Sequence, residues 1–100
     1  MRFLILGLGF FGRNWLREVV ACPECEVAGI VAKHPDLLAT VGEEFKVPPS
    51  WRYATIEEGL DRAEAQAAIV ALPEMVHKTA IVAALERGLH VLTEKPLAMD

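Results

Sequence analysis

The amino-terminal segment places the strongest constraint on the fold, because a short apolar run leads directly into a glycine-rich turn. Residues 2–6 are predicted to form a strand, and Gly7, Gly9 and Gly12 follow in the spacing G-x-G-x-x-G. In such a turn the first glycine permits the tight bend, the second lets the backbone approach a pyrophosphate, and the third allows the helix to pack closely on the strand. The helix that begins there offers unpaired N–H groups to an anion. A strand, this turn and a helix in that order predict a dinucleotide-binding unit.

Strand-like and helix-like segments alternate along the remainder of the chain. Strands are predicted at 2–6, 26–32, 51–54, 67–72 and 89–92, and helices at 10–21, 36–45, 56–63 and 73–87. This alternation with short connections indicates an α/β fold, a doubly wound parallel sheet of the Rossmann type with strand order 3-2-1-4-5. Residues 1–100 form one dinucleotide-binding domain in this interpretation. A complete sheet of this type usually has a sixth strand, so a truncated sheet is expected, with an open edge that favours association, including a homo-oligomer.

Local signals support the helix assignments. The buried face of the first helix is expected to consist of apolar residues at helical spacing, namely Phe11, Trp15, Leu16 and Val19. Thr55 and Glu58 form a capping box at the start of the third helix, with Glu58 placed to reach back toward the cap. Gly88 is expected to end the fourth helix.

Charge and hydropathy exclude several classes of function. The net charge is −4 and the ten basic residues are scattered along the chain, so a nucleic-acid partner is not expected. No apolar stretch approaches the roughly 18 residues of a membrane helix, so a membrane partner is not expected either. Arg13, Arg17 and Glu18 interrupt the segment that resembles a secretion signal, which predicts a cytoplasmic protein.

Cys22 and Cys25 form a C-x-x-C motif, which raises the question of a redox or zinc site. The chain has no second pair of cysteines to complete a four-ligand zinc site. The motif also lies between a helix end and a strand, where the helix dipole disfavours a thiolate, whereas redox pairs usually lie at a helix amino terminus. We therefore interpret both cysteines as structural residues of a connecting loop.

Two later segments narrow the assignment. Residues 71–77, Ala-Leu-Pro-Glu-Met-Val-His, close the fourth predicted strand, and residues 88–96, Gly-Leu-His-Val-Leu-Thr-Glu-Lys-Pro, close the fifth. Together with the glycines they resemble the glucose-fructose oxidoreductase / inositol dehydrogenase / rhizopine-catabolism family of NAD(P)-dependent enzymes, over the whole chain and in the same order. The Glu-Lys-Pro end of the fifth strand is the more specific element, since many families share the glycines. The resemblance implies a cofactor-binding first domain, normally followed by an α/β substrate domain.

The resemblance also implies a reaction, hydride transfer between nicotinamide and a hydroxyl-bearing carbon, often of a sugar or cyclitol. Lys95 would be the catalytic residue, because an ammonium group beside the substrate oxygen stabilises developing alkoxide charge. The acid–base partners of the family belong to its second domain, so the isolated chain is expected to bind cofactor without turning over a small-molecule substrate. The candidate cofactor contacts are Gly7, Gly9, Phe10, Phe11, Gly12, Ala32, Lys33, His34, Leu72, Pro73, His77 and Glu94.

The end of the second strand indicates which cofactor is preferred. An NAD-preferring domain has an acidic residue about 20 positions after the last glycine. This chain has Ala32 there, followed by Lys33 and His34. No carboxylate at that position repels a 2′-phosphate, and Lys33 can pair with it, with support from Arg13. We therefore expect NADP in preference to NAD, although Asp36 could reach the ribose if the loop folds back.

The later histidines receive structural assignments. His77, close to the cofactor cleft, resembles a histidine of the family, and helix capping or orientation is its expected role. His90 lies within the fifth strand and is expected to be a hydrogen-bonded core residue. The spacing of His77, His90 and Glu94 matches no known metal-ligand pattern, so no metal is expected.

Two alternatives stay open beside the leading hypothesis of a nucleotide-binding portion of an NADP(H)-preferring oxidoreductase. Imine reductases of siderophore biosynthesis share the fold, and their second strand also tends to lack the acid, although residues 94–96, Glu-Lys-Pro, favour the carbinol branch. The alternative from another functional class is a non-catalytic dinucleotide-binding or sensing module, since some relatives bind the cofactor without chemistry.

Overall fold

The computed structural model describes residues 1–93, and within that part five strands alternate with four α-helices. The strands are β1 (Arg2–Leu6), β2 (Glu26–Val31), β3 (Arg52–Tyr53), β4 (Ala67–Val70) and β5 (His90–Thr93). The helices are α1 (Phe10–Ala21), α2 (Pro35–Glu44), α3 (Ile56–Arg62) and α4 (Glu74–Glu86), and a 3-10 turn at Pro49–Trp51 precedes β3. Neighbouring strands are parallel and their order is β3-β2-β1-β4-β5. The predicted doubly wound α/β topology is confirmed.

The sheet separates two hydrophobic cores, one on each of its faces. Successive side chains of a strand point to opposite faces, so Phe3 and Ile5 pack with α1 and α2, whereas Leu4 and Leu6 pack with α3 and α4. All four are buried. A parallel strand covered on both faces must be apolar at every position, which explains the uninterrupted apolar run of β1.

The buried face of α1 differs from the predicted one. The buried residues of the helix are Gly12, Leu16 and Val19. Phe11 is 51% exposed, so its prediction as a core residue was wrong. The helix turns Gly12 toward the sheet because that position lies against the Gly7 carbonyl, where a larger residue would overlap. Phe11 therefore lies at the surface beside Phe10, with the ring centroids 5.5 Å apart in an edge-to-face arrangement.

The helix ends follow their sequence signals with one difference. The Thr55 hydroxyl accepts a hydrogen bond from the Glu58 N–H at 3.1 Å, as the capping box predicts. The Glu58 carboxylate, however, lies 3.7 Å from Arg62, one turn further along α3. Gly88 follows α4 with a φ of +77°, the left-handed conformation typical of a helix end. None of the helices between residues 1 and 93 combines the length and apolarity needed to cross a membrane.

The environment of β5 contradicts the prediction for its histidine. Within the described residues β5 lies at one edge of the sheet, paired with β4, and three of its four residues are exposed. His90 is one of the exposed three, so the prediction of a core histidine was wrong. Its backbone N–H donates to the Gln66 carbonyl at 3.0 Å, so the main chain is held in the sheet while the side chain faces outward.

The strand register brings the carboxyl ends of the four longer strands to a common edge. Leu6 of β1 pairs with Val31 of β2 on one side and with Val70 of β4 on the other. Val70 in turn pairs with Thr93 of β5. Gly7, Ala32 and Ala71, which follow the first three of these positions in the chain, therefore lie close together at the edge where open α/β sheets bind ligands.

Candidate functional site

Two glycines of the amino-terminal turn are required by the fold itself. Gly7 has a φ of +100°, a conformation that L side chains rarely adopt. A Cβ atom on Gly7 would also lie 3.0 Å from Cδ2 of Leu72. A Cβ atom on Gly12 would overlap the Gly7 carbonyl oxygen and lie 2.7 Å from its carbonyl carbon. The turn can therefore close only if both positions lack a side chain.

Gly9 differs from the other two glycines because the packing of the described residues does not require a glycine at this position. Its φ of −71° and ψ of −163° are open to any residue. Among residues 1–93, a Cβ atom at this position would meet no atom within 4 Å outside the adjacent residues. Gly9 is exposed and caps α1, with its carbonyl accepting the first helical hydrogen bond from the Arg13 N–H at 2.9 Å. The turn thus presents bare backbone to solvent at the point where a pyrophosphate would approach.

The amino terminus of α1 is suited to an anion. Within the described part of the chain no side chain caps this helix, and its first turn contains no acidic residue. The first N–H groups of a helix have no partner inside the helix, and the helix dipole adds partial positive charge there. An open groove of about 480 Å³ runs beside this turn between α1 and α2. Its lining includes Gly9, Phe10, Arg13, Arg17 and Leu37.

The end of β2 presents a small buried residue and two exposed basic ones. Ala32 is buried, and its N–H donates to the Tyr53 carbonyl at 3.2 Å. Lys33 and His34 are exposed, and His34 caps α2 without a side-chain hydrogen bond to it. Asp36 lies exposed in the first turn of α2. A hydrogen bond of 2.9 Å from the Gly7 N–H to the Val31 carbonyl brings this segment next to the glycine turn.

Arg13 has a partner that the sequence did not indicate. Its Nη2 atom lies 2.6 Å from Oε1 of Glu44, at the carboxyl end of α2. The Nε atom of Arg13 is buried and has no hydrogen-bond partner among the described residues. The guanidinium group that was expected to support a 2′-phosphate is therefore neutralised by a carboxylate from α2.

The segment after β4 lies on the other side of the turn. The Ala71 N–H donates to the Leu6 carbonyl at 2.8 Å, which continues the sheet to the level of Gly7. Leu72 is half-buried against Gly7, and Pro73 is the exposed cap of α4.

His77, in the first turn of α4, connects that helix to the end of β5. Its Nε2 atom lies 2.6 Å from the Thr93 hydroxyl oxygen, within hydrogen-bonding distance. Sequence reasoning missed Thr93 and also Ala71, which lies against Gly7. The signal that could have found both is the strand register, since each stands at or just after the end of a strand beside β1. Glu94 and Lys95 lie outside the described residues.

The chain matches a known family model over residues 1–100, described as an oxidoreductase family with an NAD-binding Rossmann fold (GFO/IDH/MocA). It is 34% identical over 97 residues to D-xylose 1-dehydrogenase (NADP(+)) 2 from Haloferax volcanii. The aligned region covers 97% of this chain and 29% of that relative.

Solved structures resemble the chain along its whole length. A 3-ketoreductase from Actinomadura kijaniata, in complex with TDP-benzene and NADP, has a TM-score of 0.84 and 31% identity over 100% of this chain and 31% of its own. Scyllo-inositol dehydrogenase from Lactobacillus casei, with bound NAD(H) and scyllo-inositol, has a TM-score of 0.88 at 23% identity over 100% of this chain and 29% of its own, which is a likeness of fold. The chain spans about 30% of the length of these relatives.

Proposed function

The chain belongs to the oxidoreductase family with an NAD-binding Rossmann fold, and from that premise we propose that it is the cofactor-binding domain of an NADP(H)-preferring oxidoreductase. The reaction is hydride transfer between the nicotinamide and a hydroxyl-bearing carbon of a sugar or polyol derivative. Residues 1–100 supply the dinucleotide site, and a second α/β domain supplies the substrate pocket and the acid–base groups.

The observation that carries the dinucleotide site is the empty space over Gly9. Gly7 and Gly12 are explained by the geometry of the turn, whereas a Cβ atom on Gly9 would meet none of the described residues packed around the turn. A glycine there is explained by a ligand that needs the space and the backbone N–H groups. A pyrophosphate has the charge that the uncapped amino terminus of α1 accommodates.

Support for NADP comes from the end of β2. Ala32 has no side-chain acceptor for the ribose hydroxyls, so the usual selection for NAD by an acid is missing at this strand end. Lys33 and His34 are exposed next to it, and a lysine ammonium group can pair with a 2′-phosphate. Solved relatives bind NADP in one case and NAD(H) in another, so the preference is argued from the end of β2 alone. Asp36 lies in the helix that follows, so its carboxylate belongs to the first turn of α2.

Support for a second domain comes from apolar side chains that surround the site. Phe10 and Phe11 at the start of α1, and Met75 and Val76 at the start of α4, are all exposed. The starts of these helices flank the edge of the sheet where the strand ends meet. A substrate domain placed over this edge would remove the four side chains from water, which is favourable.

The resemblance to the family is the basis on which we propose that Lys95 contacts the substrate. In the pattern of the family, a lysine at this point of the sequence would stand at the edge of the sheet where ligands bind. Its ammonium group would hold the substrate hydroxyl and stabilise alkoxide character as the carbon loses or gains hydride. Bound nicotinamide supplies or accepts that hydride.

Titration with NADPH and, separately, with NADH, followed by nicotinamide fluorescence, tests the cofactor proposal. We expect NADPH to bind at least about fivefold more tightly, and Lys33→Glu to reverse the order, because the new carboxylate repels a 2′-phosphate and can accept the ribose hydroxyls. Lys46→Glu makes the same change of charge at an exposed position after α2 and should leave the preference as it is.

Tighter binding of NADH by the unaltered chain would overturn the NADP assignment and leave the dinucleotide site in place. Failure of a folded sample to bind either cofactor would contradict the proposal that these residues form the site on their own. The catalytic role is tested by Lys95→Ala in a protein that carries the substrate domain. Turnover should fall by roughly 100-fold or more while NADPH affinity changes less than about twofold, whereas a sensing module would show no turnover to lose.

A further inference from the structure

Cys22 and Cys25 lie in the loop between α1 and β2, at the end of α1 that is remote from the glycine turn. The Cys22 N–H donates to the Val19 carbonyl at 3.2 Å, which ends the helix. The Cys25 N–H donates to the Cys22 carbonyl at 3.1 Å, which closes a tight turn. The two Sγ atoms are 2.9 Å apart, and both thiols are free and partly buried.

The distance between the sulfurs is about 0.9 Å longer than a disulfide bond. A closed turn holds the two backbones, so small rotations of the side chains are enough to bring the sulfurs to bonding distance. The position at a helix carboxyl end, which argued against a redox role in the sequence, does not move the sulfurs apart. We propose that Cys22 and Cys25 form a reversible dithiol–disulfide site, oxidised by low-molecular-weight disulfides.

Thiol–disulfide exchange at this site takes two steps. The Cys25 thiol donates a hydrogen bond to Cys22 Sγ, and this bond, with a smaller contribution from desolvation, raises the pKa of Cys25 above its usual value. One of the two cysteines loses its proton to water, attacks a sulfur of the oxidant, forms a mixed disulfide and releases one thiolate. The other cysteine then loses its proton to water, attacks the protein sulfur of the mixed disulfide and releases the second thiolate. Two protein thiols are oxidised and one disulfide of the oxidant is reduced to two thiols.

The surrounding contacts hold the loop in the geometry that oxidation requires. The Glu26 N–H, directly after Cys25, donates to the Met1 carbonyl at 2.9 Å and joins the loop to the start of β1. Cys25 also packs against the core on the α1 side of the sheet. Only small side-chain rotations are therefore needed to bring the sulfurs together in the folded chain. The disulfide should form more readily in the folded than in the unfolded chain, because the unfolded chain loses more conformational entropy when the loop closes.

The site is separate from the proposed cofactor site. The twelve residues of α1 lie between them, a length of about 18 Å. Oxidation should therefore leave NADPH affinity within about twofold of the reduced value, and the outcome of either proposal does not decide the other.

The test is equilibration of the native chain in mixtures of reduced and oxidised glutathione, followed by acid quenching and intact mass. We expect the unaltered chain to lose two hydrogens without gaining glutathione, and Cys25→Ser to stop at one glutathione on Cys22. The equilibrium constant for disulfide formation should be at least tenfold larger in the native chain than in urea. By linkage, the oxidised chain should then also unfold at a higher temperature than the reduced one.

Three results would overturn the proposal. Two glutathione adducts on the native chain would mean that the sulfurs do not react with each other. Free thiols in the native chain, under conditions in which urea-unfolded chain is oxidised, would mean that the fold blocks the reaction. An equal equilibrium constant in native and unfolded chain would mean that the turn does not position the sulfurs. Circular dichroism of the unaltered chain and of Cys25→Ser confirms that each sample is folded.

Discussion

Substitution of Gly9 by alanine separates the requirements of the fold from those of the ligand. Alanine is compatible with the backbone angles at this position, and in the part of the chain that the structure describes its methyl group would meet no atom within 4 Å beyond the adjacent residues. Loss of glycine lowers the entropy of the unfolded chain and stabilises the fold by about 0.4–1 kcal/mol. Alanine is a poorer helix cap than glycine by a similar amount, from a few tenths to about 1 kcal/mol. The two effects offset each other, so the free energy of unfolding should change by less than about 0.5 kcal/mol.

The expected effect of Gly9→Ala on binding is much larger. The methyl group would stand where the pyrophosphate approaches the turn and would hold it away from the N–H groups of α1. Hydrogen bonds to a charged group contribute about 1.5–3 kcal/mol each. The loss of one such bond corresponds to roughly 10- to 150-fold weaker binding, since 1.4 kcal/mol is a factor of ten.

The assay combines NADPH titration by nicotinamide fluorescence with urea unfolding of the same samples. Gly12→Ala is the contrasting variant, because its methyl group would overlap the Gly7 carbonyl and should destabilise the fold by about 1–3 kcal/mol or more. Gly88→Ala is a second control, at an open position with positive φ that is remote from the site. It should lower the free energy of unfolding by about 1 kcal/mol. The NADPH affinity of the folded chain should not change. If folded Gly9→Ala binds NADPH within twofold of the unaltered chain, a pyrophosphate does not lie against Gly9, and the reasoning fails.

Two further predictions concern the fold. Leu16→Ala removes a fully buried side chain between α1 and the sheet and should lower the free energy of unfolding in urea by about 2–5 kcal/mol. Leu85→Ala, at a position 56% exposed on α4, should change it by less than about 0.5 kcal/mol, and equal losses would contradict the assigned core. Thr55→Ala removes the acceptor for the Glu58 N–H and should cost about 1 kcal/mol. Thr55→Ser keeps a hydroxyl and should retain most of that stability, so an equal loss in both variants would show that the cap contributes little.

The order of the elements and of the strands could be predicted from the sequence because both depend on local patterns and general rules. Apolar runs of strand length, helical spacing and the Gly88 stop signal locate the elements. The right-handed crossover of parallel strands then leaves few arrangements of the sheet. Boundaries were less accurate, as β2 and β4 end at Val31 and Val70, one and two residues before the predicted positions.

The errors concern which side of an element is covered, and that depends on neighbours distant in the sequence. Apolar residues at helical spacing predicted Phe11 on the buried face of α1, whereas the close approach of Gly7 places Gly12 there. An apolar strand segment predicted a buried His90, but the position of β5 at the sheet edge leaves that side chain exposed.

The sequence by itself determined that a glycine turn joins a strand to a helix and that residues 32–34, directly after β2, include no acid. Only the tertiary structure decided which atoms the glycines and the nearby arginine contact. Gly7 and Gly12 are required by the close approach within the turn, whereas the packing of the described residues does not require a glycine at position 9. Arg13, expected to be available to a phosphate, pairs with Glu44, which is 31 residues away. The physical reason is that periodicity is a property of neighbouring residues, whereas a side chain's partner is set by the packing of whole elements against one another.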